Sequence, residues 1–145
     1  MYVIVIGGGK VGYYLSRDLL EAGHEVTIVE KDPERFDRLT SQLGSCAMLG
    51  DGDEMSFLAT TGIERANVVV AVTGDDEDNL VALQLAKRRF NVEVTVARVN
   101  NPANVHIFRE LGIDFAISAT ELLRDVIERT IIKSETDPNS EVREG

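Results

Sequence analysis

The residues whose type and spacing best suit chemistry are three glycines near the N-terminus, Gly7, Gly9 and Gly12. A G-x-G-x-x-G pattern between a strand and a helix is typical of dinucleotide-binding loops. Gly7 would permit the tight turn, Gly9 would let the backbone approach a pyrophosphate, and Gly12 would let helix and strand pack closely. Unpaired N–H groups at the helix N-terminus, aided by the helix dipole, would then bind the phosphates.

A carboxylate follows at the spacing that such a site requires. Glu30 ends the next apolar segment, roughly 20 residues after the glycine loop. In dinucleotide-binding folds an acid at this place accepts hydrogen bonds from ribose hydroxyls and disfavours a 2′-phosphate. The sequence therefore predicts that NAD binds better than NADP, although the neighbouring cation Lys31 could offset part of that repulsion.

The segments that must position these residues alternate between strand and helix patterns. Apolar, β-branched runs predict six strands, at 2–6, 24–30, 45–49, 67–72, 93–99 and 113–118. Helical spacing and capping residues predict helices at 11–22, 33–43, 55–60, 79–89, 102–111 and 119–133. Because parallel strands need crossover helices, the predicted class is α/β, with a Rossmann-type doubly wound parallel six-stranded sheet in the order 3-2-1-4-5-6.

Length and charge narrow the possible partners. The 145 residues are expected to form one nucleotide-binding domain, 1–133, followed by a polar tail or linker, 134–145. The formal net charge of −10 argues against nucleic acid or an anionic membrane surface as a partner. No apolar run reaches the ~18–20 residues of a membrane span, so we expect a cytoplasmic protein without direct membrane insertion.

Ligands of such a sheet bind at the carboxyl ends of the strands, near the switch between the first and fourth strands. This rule selects the candidate binding residues Gly7, Gly8, Gly9, Lys10, Val11, Gly12, Glu30, Asp51, Thr73, Gly74 and Arg98. Asp51 would lie near an adenine edge, and Thr73 and Gly74 near the pyrophosphate or a second ribose. Arg98 is a lone cation in an apolar strand and could instead form a structural ion pair. Lys10 could reach a phosphate or point to solvent.

The sequence offers no evident catalytic or metal-binding group. It contains no Tyr-x-x-x-Lys pair and no Cys/His spacing typical of metal sites. The acidic run 75–78 follows the fourth strand, where it suits a helix N-terminus but could also bind a divalent cation. We therefore assign no catalytic residue and no metal ligand. A cofactor site without a substrate domain favours sensing over catalysis.

The motifs also recur, in the same order, in a known family. The segments 7–12, 28–30, 50–52, 66–73, 76–79, 97–98 and 112–118 resemble the N-terminal nucleotide-binding domain of the Trk/Ktr potassium-uptake regulators, the KTN or RCK domain of the TrkA-N family. The most distinctive part is the Ala-Val-Thr-x-x-Asp-Glu-x-Asn pattern that begins at Ala71. The resemblance extends over nearly the whole chain, to about Lys133.

This resemblance implies a regulatory subunit or domain, peripheral to the inner face of the cell membrane, that gates a potassium channel or transporter. It implies binding of NAD(H), or of ATP, ADP or AMP, and homodimers that can assemble into octameric rings. The last helix would pack on a partner subunit. By the same resemblance, the nucleotide contacts would be 7–11, Glu30, Thr73, Gly74 and Arg98, with Asp51 near the adenine.

Two other functions remain open at this point. One is an NAD-dependent oxidoreductase fragment whose substrate domain is missing or supplied by another chain. The other is a redox or energy sensor with a partner unrelated to transport. The choice between NAD and ATP is also open, because the loop position held by Lys10 varies within the family.

Overall fold

The computed structural model describes residues 1–136, in which six strands alternate with six α-helices. The strands are β1 (Tyr2–Ile6), β2 (Glu25–Glu30), β3 (Ala47–Leu49), β4 (Val68–Ala71), β5 (Val94–Arg98) and β6 (Phe115–Ile117). The helices are α1 (Lys10–Glu21), α2 (Pro33–Leu43), α3 (Met55–Leu58), α4 (Asp76–Phe90), α5 (Val105–Glu110) and α6 (Ala119–Thr136). Every strand pair is parallel and the order is β3-β2-β1-β4-β5-β6, which confirms the predicted Rossmann-type sheet.

Strand β1 lies in the centre of the sheet and packs against an apolar layer on each face. All five of its residues are buried, as its unbroken apolar run predicts for a central parallel strand. Because side chains alternate along a strand, Tyr2, Ile4 and Ile6 belong to the layer that includes α4 and α5. Val3 and Val5 belong to the opposite layer, which packs against α1 and α2. The loop after β1 is therefore anchored by burial on both faces of the sheet.

Several helix boundaries lie one to three residues from their predicted positions, and those of α4 and α6 bear on the surfaces described below. Helix α4 begins at Asp76, earlier than predicted, because the Asp75 side chain caps it by accepting a hydrogen bond from the N–H of Asp78 at 3.0 Å. The acidic run thus forms the first helical turn, where negative charge stabilises the helix dipole. Helix α6 extends to Thr136, past the predicted end at Lys133. The rest of the predicted tail, 137–145, lies outside the described residues.

Helix α6 differs from the other long helices because none of its residues is buried. Its exposed apolar side chains are Leu122, Leu123, Val126, Ile127, Ile131 and Ile132. The sheet face beside α1 is also left open over β4 and β5, as an apolar groove of about 520 Å³ whose lining includes Val70, Val72 and Val96. Neither α6 nor any other helix of residues 1–136 has the length and apolarity of a membrane span.

Candidate functional site

A cavity of about 400 Å³ lies at the carboxyl ends of the central strands, where ligands of such sheets bind. The predicted residues that line it are Gly7, Gly9, Glu30, Asp51, Thr73, Gly74 and Arg98. Gly8 and Lys10 line an adjoining cavity of about 370 Å³ together with Arg35 and Arg38. Val11 lies at the N-terminus of α1, but its side chain lines the apolar groove. The structure therefore brings most of the predicted residues together.

The glycines of the loop have different structural roles. Gly7 has a φ of +109°, which side chains of L-residues rarely adopt. A Cβ on Gly12 would lie 1.8 Å from the carbonyl oxygen of Gly7, so only glycine lets α1 pack this closely on β1. No heavy atom of the described chain lies within 4 Å of a Cβ built on Gly9, which caps α1. Gly9 therefore forms the open side of the loop, where a pyrophosphate could approach the helix N-terminus.

Glu30 is buried, with 4% of its surface exposed, and both carboxylate oxygens accept backbone hydrogen bonds. Oε1 accepts from the N–H of Gly8 and Oε2 from the N–H of Asp32, each at 2.8 Å. The guanidinium of Arg35 lies 3.5 Å from Oε1. Since an ionised carboxylate can accept about four hydrogen bonds, Glu30 fixes the glycine loop and retains lone pairs for ribose hydroxyls.

Asn79 is a site residue that the sequence reasoning missed. It is fully buried in α4, and its amide joins the ends of β4 and β5. Nδ2 donates to the carbonyl oxygens of Thr73 and Arg98, at 3.1 Å and 3.0 Å. Oδ1 accepts from the backbone N–H of Thr73 at 3.1 Å and from its hydroxyl at 2.6 Å. The available signal was a polar residue at helical spacing with the buried Ala82, Leu83 and Ala86.

The acidic run 75–78 is engaged in contacts within the protein. Asp76 accepts hydrogen bonds from the N–H groups of Asn100 and Asn101, at 2.6 Å and 2.9 Å, and from the Asn104 side chain. Burial raises the pKa of Asp76, but these hydrogen bonds outweigh it and hold the pKa below its ordinary value. Asp76 thereby fastens α4 to the segment after β5. No group of three or more His, Cys, Asp or Glu side chains suited to a metal occurs within residues 1–136.

The mouth of the cavity beyond β3 carries two aspartates, Asp51 and Asp53, whose pKa values shift in opposite directions. A hydrogen bond between their side chains, with burial and the charge of Asp51, raises the pKa of Asp53 to about 6. The same hydrogen bond lowers the pKa of Asp51. Lys31, which pairs with Asp78 at 3.2 Å, lies near enough to oppose the rise. The predicted adenine end of the cavity is therefore acidic, and its charge changes as the pH passes through about 6.

Relative to the wild-type protein, the Asp53→Asn variant is expected to be more stable at pH 8 than at pH 5. The folded-state pKa of about 6 exceeds the ordinary value of 3.8. The stabilisation that Asp53 provides is therefore complete below pH 3.8 and is lost as the pH rises through about 6. Thermal unfolding of both proteins at several pH values measures the difference in Tm. Glu54→Gln, an exposed neighbour, should show no such trend, and parallel curves for Asp53→Asn would contradict the prediction.

Arg98 is half-buried at the end of β5. The structural ion pair that the sequence left open is not formed within residues 1–136, where the guanidinium has no carboxylate partner. The side chain lines both the cavity and the apolar groove. A cation in this position can interact with a ligand phosphate.

Comparison with known proteins adds a family and several relatives. The model of the TrkA-N domain matches residues 3–119. The Trk system potassium uptake protein TrkA of Mycobacterium tuberculosis is 40% identical over 132 residues, which cover 90% of this chain and 60% of that protein. A TrkA homolog of Methanothermobacter thermautotrophicus is 34% identical over 133 residues, which cover 92% and 61%. The chain spans about three-fifths of the length of these curated relatives.

Solved structures share the fold. The NAD(P)-binding domain of an exopolyphosphatase-related protein from Archaeoglobus fulgidus has 28% identity and a TM-score of 0.76, and the match covers 90% of this chain and 97% of that one. The GsuK channel bound to NAD has 20% identity and a TM-score of 0.75, with coverage of 93% and 24%. The Shewanella denitrificans Kef CTD in an AMP-bound form has 20% identity and a TM-score of 0.76, with coverage of 99% and 85%.

Proposed function

The chain belongs to the TrkA-N domain family, and we propose that it is a nucleotide-sensing regulatory domain of a potassium channel or transporter. The observation that carries the proposal is the cavity, where an open glycine loop, a buried acceptor at Glu30 and Arg98, a cation without a carboxylate partner in residues 1–136, converge. The relatives named for potassium uptake support the transport role. The neighbours bound to NAD and AMP support the ligand class.

The geometry suits an extended nucleotide that crosses the loop. The adenosine ribose would donate hydrogen bonds to Glu30, with the adenine toward Asp51. The pyrophosphate would lie over Gly9 at the N-terminus of α1, within reach of Arg98. We propose NAD(H) as the ligand, with ATP, ADP or AMP as alternatives. A nucleotide can regulate transport only if it binds two conformations of the domain with different affinity.

The nucleotide-binding proposal is tested by isothermal titration calorimetry of the chain with NAD⁺, NADH, ATP and ADP. We expect a Kd below about 1 mM for at least one of them, corresponding to about 4 kcal/mol of binding free energy. NADP⁺ should bind more weakly than NAD⁺, because its 2′-phosphate would face the buried Glu30 carboxylate. The proposal fails if none of the four nucleotides binds at millimolar concentration.

The oxidoreductase alternative would need a proton donor beside the cofactor. The cavity lining within residues 1–136 contains no histidine, tyrosine or cysteine, and Lys31 and Asp53, which can exchange a proton, lie beyond β2 and β3 at the proposed adenine end. Because no observation on the described residues favours hydride transfer, the regulatory function is the one that we propose. Its setting would be the inner face of the cell membrane, reached through a potassium channel or transporter subunit.

We further propose a homodimer in which α6 of each chain covers the apolar groove of the other, and from which octameric rings could be built. Helix α6 buries none of its residues in its own chain. The groove beside α1 is a cavity of about 520 Å³ to whose lining the same chain's α6 contributes only Ala119 and Leu122, at its first turn. An exposed apolar stripe along a helix, such as that of α6, is typical of interfaces between protein chains.

Introducing charge into α6 is expected to convert the dimer to a monomer. The double variant Ile127→Glu and Ile131→Glu places two carboxylates in the proposed contact, where burial without partners is costly. Size-exclusion chromatography with light scattering should show roughly half the wild-type mass, because the dimer separates into single chains. Arg129→Glu changes the charge of the same helix at a polar exposed position and should remain dimeric. An unchanged mass for the double variant would contradict the proposed interface.

A further inference from the structure

The Thr73 hydroxyl lies in the cavity wall, directly after β4, and three polar atoms of the protein surround it. Asn79 Oδ1 lies 2.6 Å from Oγ1. The carbonyl oxygen of Asp75 and the N–H of Asp75 each lie at 3.2 Å. A threonine hydroxyl has one hydrogen to donate and two lone pairs to accept with. The partners on the protein therefore determine what remains for a ligand.

The orientation of the Asn79 amide follows from its neighbours. One of its terminal atoms faces two backbone carbonyl oxygens, those of Thr73 and Arg98. Carbonyl oxygens only accept, so that atom must be the nitrogen, and the amide oxygen must face Thr73. The amide oxygen carries no hydrogen and lies only 2.6 Å from Oγ1, so the Thr73 hydroxyl must donate its only hydrogen to Asn79 rather than to the Asp75 carbonyl oxygen at 3.2 Å. The backbone N–H of Asp75 can only donate, so it occupies one lone pair of Oγ1.

Thr73 thus presents one free lone pair to the cavity and no hydrogen. A ribose hydroxyl can donate to such an acceptor. A phosphate oxygen that is ionised at neutral pH has no hydrogen to donate, and would meet the lone pair unfavourably. Thr73 can therefore only accept a hydrogen bond from a ligand, and it favours a ligand group that donates one. It is restricted to accepting because its hydrogen is bonded to Asn79.

A second acceptor, Glu30, lies on the other side of the glycine loop. Glu30 accepts from the N–H of Gly8, while a Cβ on Gly7 would lie 3.0 Å from the backbone nitrogen of Thr73. Strand β1 lies between the strands β2 and β4 that carry the two acceptors. The loop that would hold the phosphates is consequently flanked by one hydroxyl acceptor on each side. This arrangement matches a ribose–diphosphate–ribose skeleton.

We infer that Thr73 is a specificity-determining residue that accepts a hydrogen bond from the second ribose of a dinucleotide and so favours NAD(H) over AMP, ADP and ATP. The inference rests on the proposed nucleotide-binding function. Asn79 acts as a positioning residue, because it holds the hydroxyl hydrogen away from the ligand.

Two ligands of equal charge test this inference by calorimetry. ADP-ribose carries the second ribose, whereas the β-methyl ester of ADP keeps the charged diphosphate and lacks that ribose. Wild-type protein should bind ADP-ribose about 3- to 10-fold more tightly, the size expected for one neutral hydrogen bond. Thr73→Val should weaken ADP-ribose more than the methyl ester, so that the preference disappears, and Thr73→Ser, which keeps the acceptor, should retain it.

The outcomes separate the inference from the proposed function. Equal binding of the two ligands by the wild-type protein overturns the inference, even if Thr73→Val fails to fold. An equal weakening of both ligands in Thr73→Val also overturns it, because that result indicates a structural effect alone. If neither ligand binds the wild-type protein but NAD⁺, NADH, ATP or ADP does, the inference alone fails. If none of those four nucleotides binds, the proposed function fails and the inference fails with it.

Discussion

Gly12→Ala is expected to lose much of its folding stability, whereas Gly9→Ala is expected to fold normally and to bind nucleotide more weakly. A Cβ on Gly12 would lie 1.8 Å from a backbone oxygen of Gly7, which no side-chain rotation can relieve. Helix α1 would have to move away from β1, at a cost above about 3 kcal/mol, which is a large part of a typical domain stability.

Gly9 is the matched control on the same loop. Its φ of −71° suits alanine, and the space around its added Cβ contains no heavy atom of the described chain within 4 Å. The same space is where the pyrophosphate would lie, so the methyl group should weaken binding at least about tenfold. Urea unfolding followed by circular dichroism measures stability, and calorimetry with NAD⁺ measures affinity. Normal stability of Gly12→Ala, or normal affinity of Gly9→Ala, would contradict the roles assigned to these glycines.

Glu30→Gln is expected to lower both stability and nucleotide affinity. The two oxygens of Glu30 face the backbone N–H groups of Gly8 and Asp32. Glutamine has only one oxygen, so its NH₂ group must face one of these donors and leave that buried N–H without an acceptor. The cost of such an unsatisfied group is about 1–3 kcal/mol. The adenosine ribose would also lose a charged acceptor, which should weaken binding about tenfold or more.

The same substitution at an exposed site isolates these effects. Glu34→Gln alters the first turn of α2, where the side chain is exposed, and should leave the Tm and the affinity for NAD⁺ nearly unchanged. Thermal unfolding and calorimetry on the two variants and the wild-type protein make the comparison. If Glu30→Gln behaves like Glu34→Gln in both measurements, Glu30 neither fixes the loop nor receives the ribose.

The strands could be predicted because their apolar runs are local features of the sequence. The order of the strands could then be predicted because few crossover paths are allowed. The apolar runs of β1 and β4 are long enough to indicate buried parallel strands, and parallel strands require crossover helices on a limited set of paths. The predicted start of α4 was wrong because the sequence does not show which residue of the acidic run caps the helix. The acidic residues of its first turn look like a polar loop until the capping bond of Asp75 is known.

Features that depend on contacts distant in sequence were harder to predict. The role of Asn79 arises only when α4 packs at the ends of β4 and β5, so that one amide meets both Thr73 and Arg98. The apolar residues of α6 recur at helical spacing in the sequence, but an amphipathic pattern is the same whether a helix covers its own sheet or another chain. In the described chain no residue of α6 is buried. This could be learned only from the three-dimensional structure.

Val72 and Arg98 each line two cavities, the proposed nucleotide site and the apolar groove. When binding at one site moves a residue that also lines a second site, the affinities of the two sites are coupled, and this coupling is reciprocal. If a nucleotide that reorganises Arg98 changes the affinity of the groove for its occupant by some factor, filling the groove changes nucleotide affinity by the same factor. Where that occupant is a second copy of the chain, the apparent nucleotide affinity becomes a function of protein concentration. Titrations across a dilution series would measure this coupling directly.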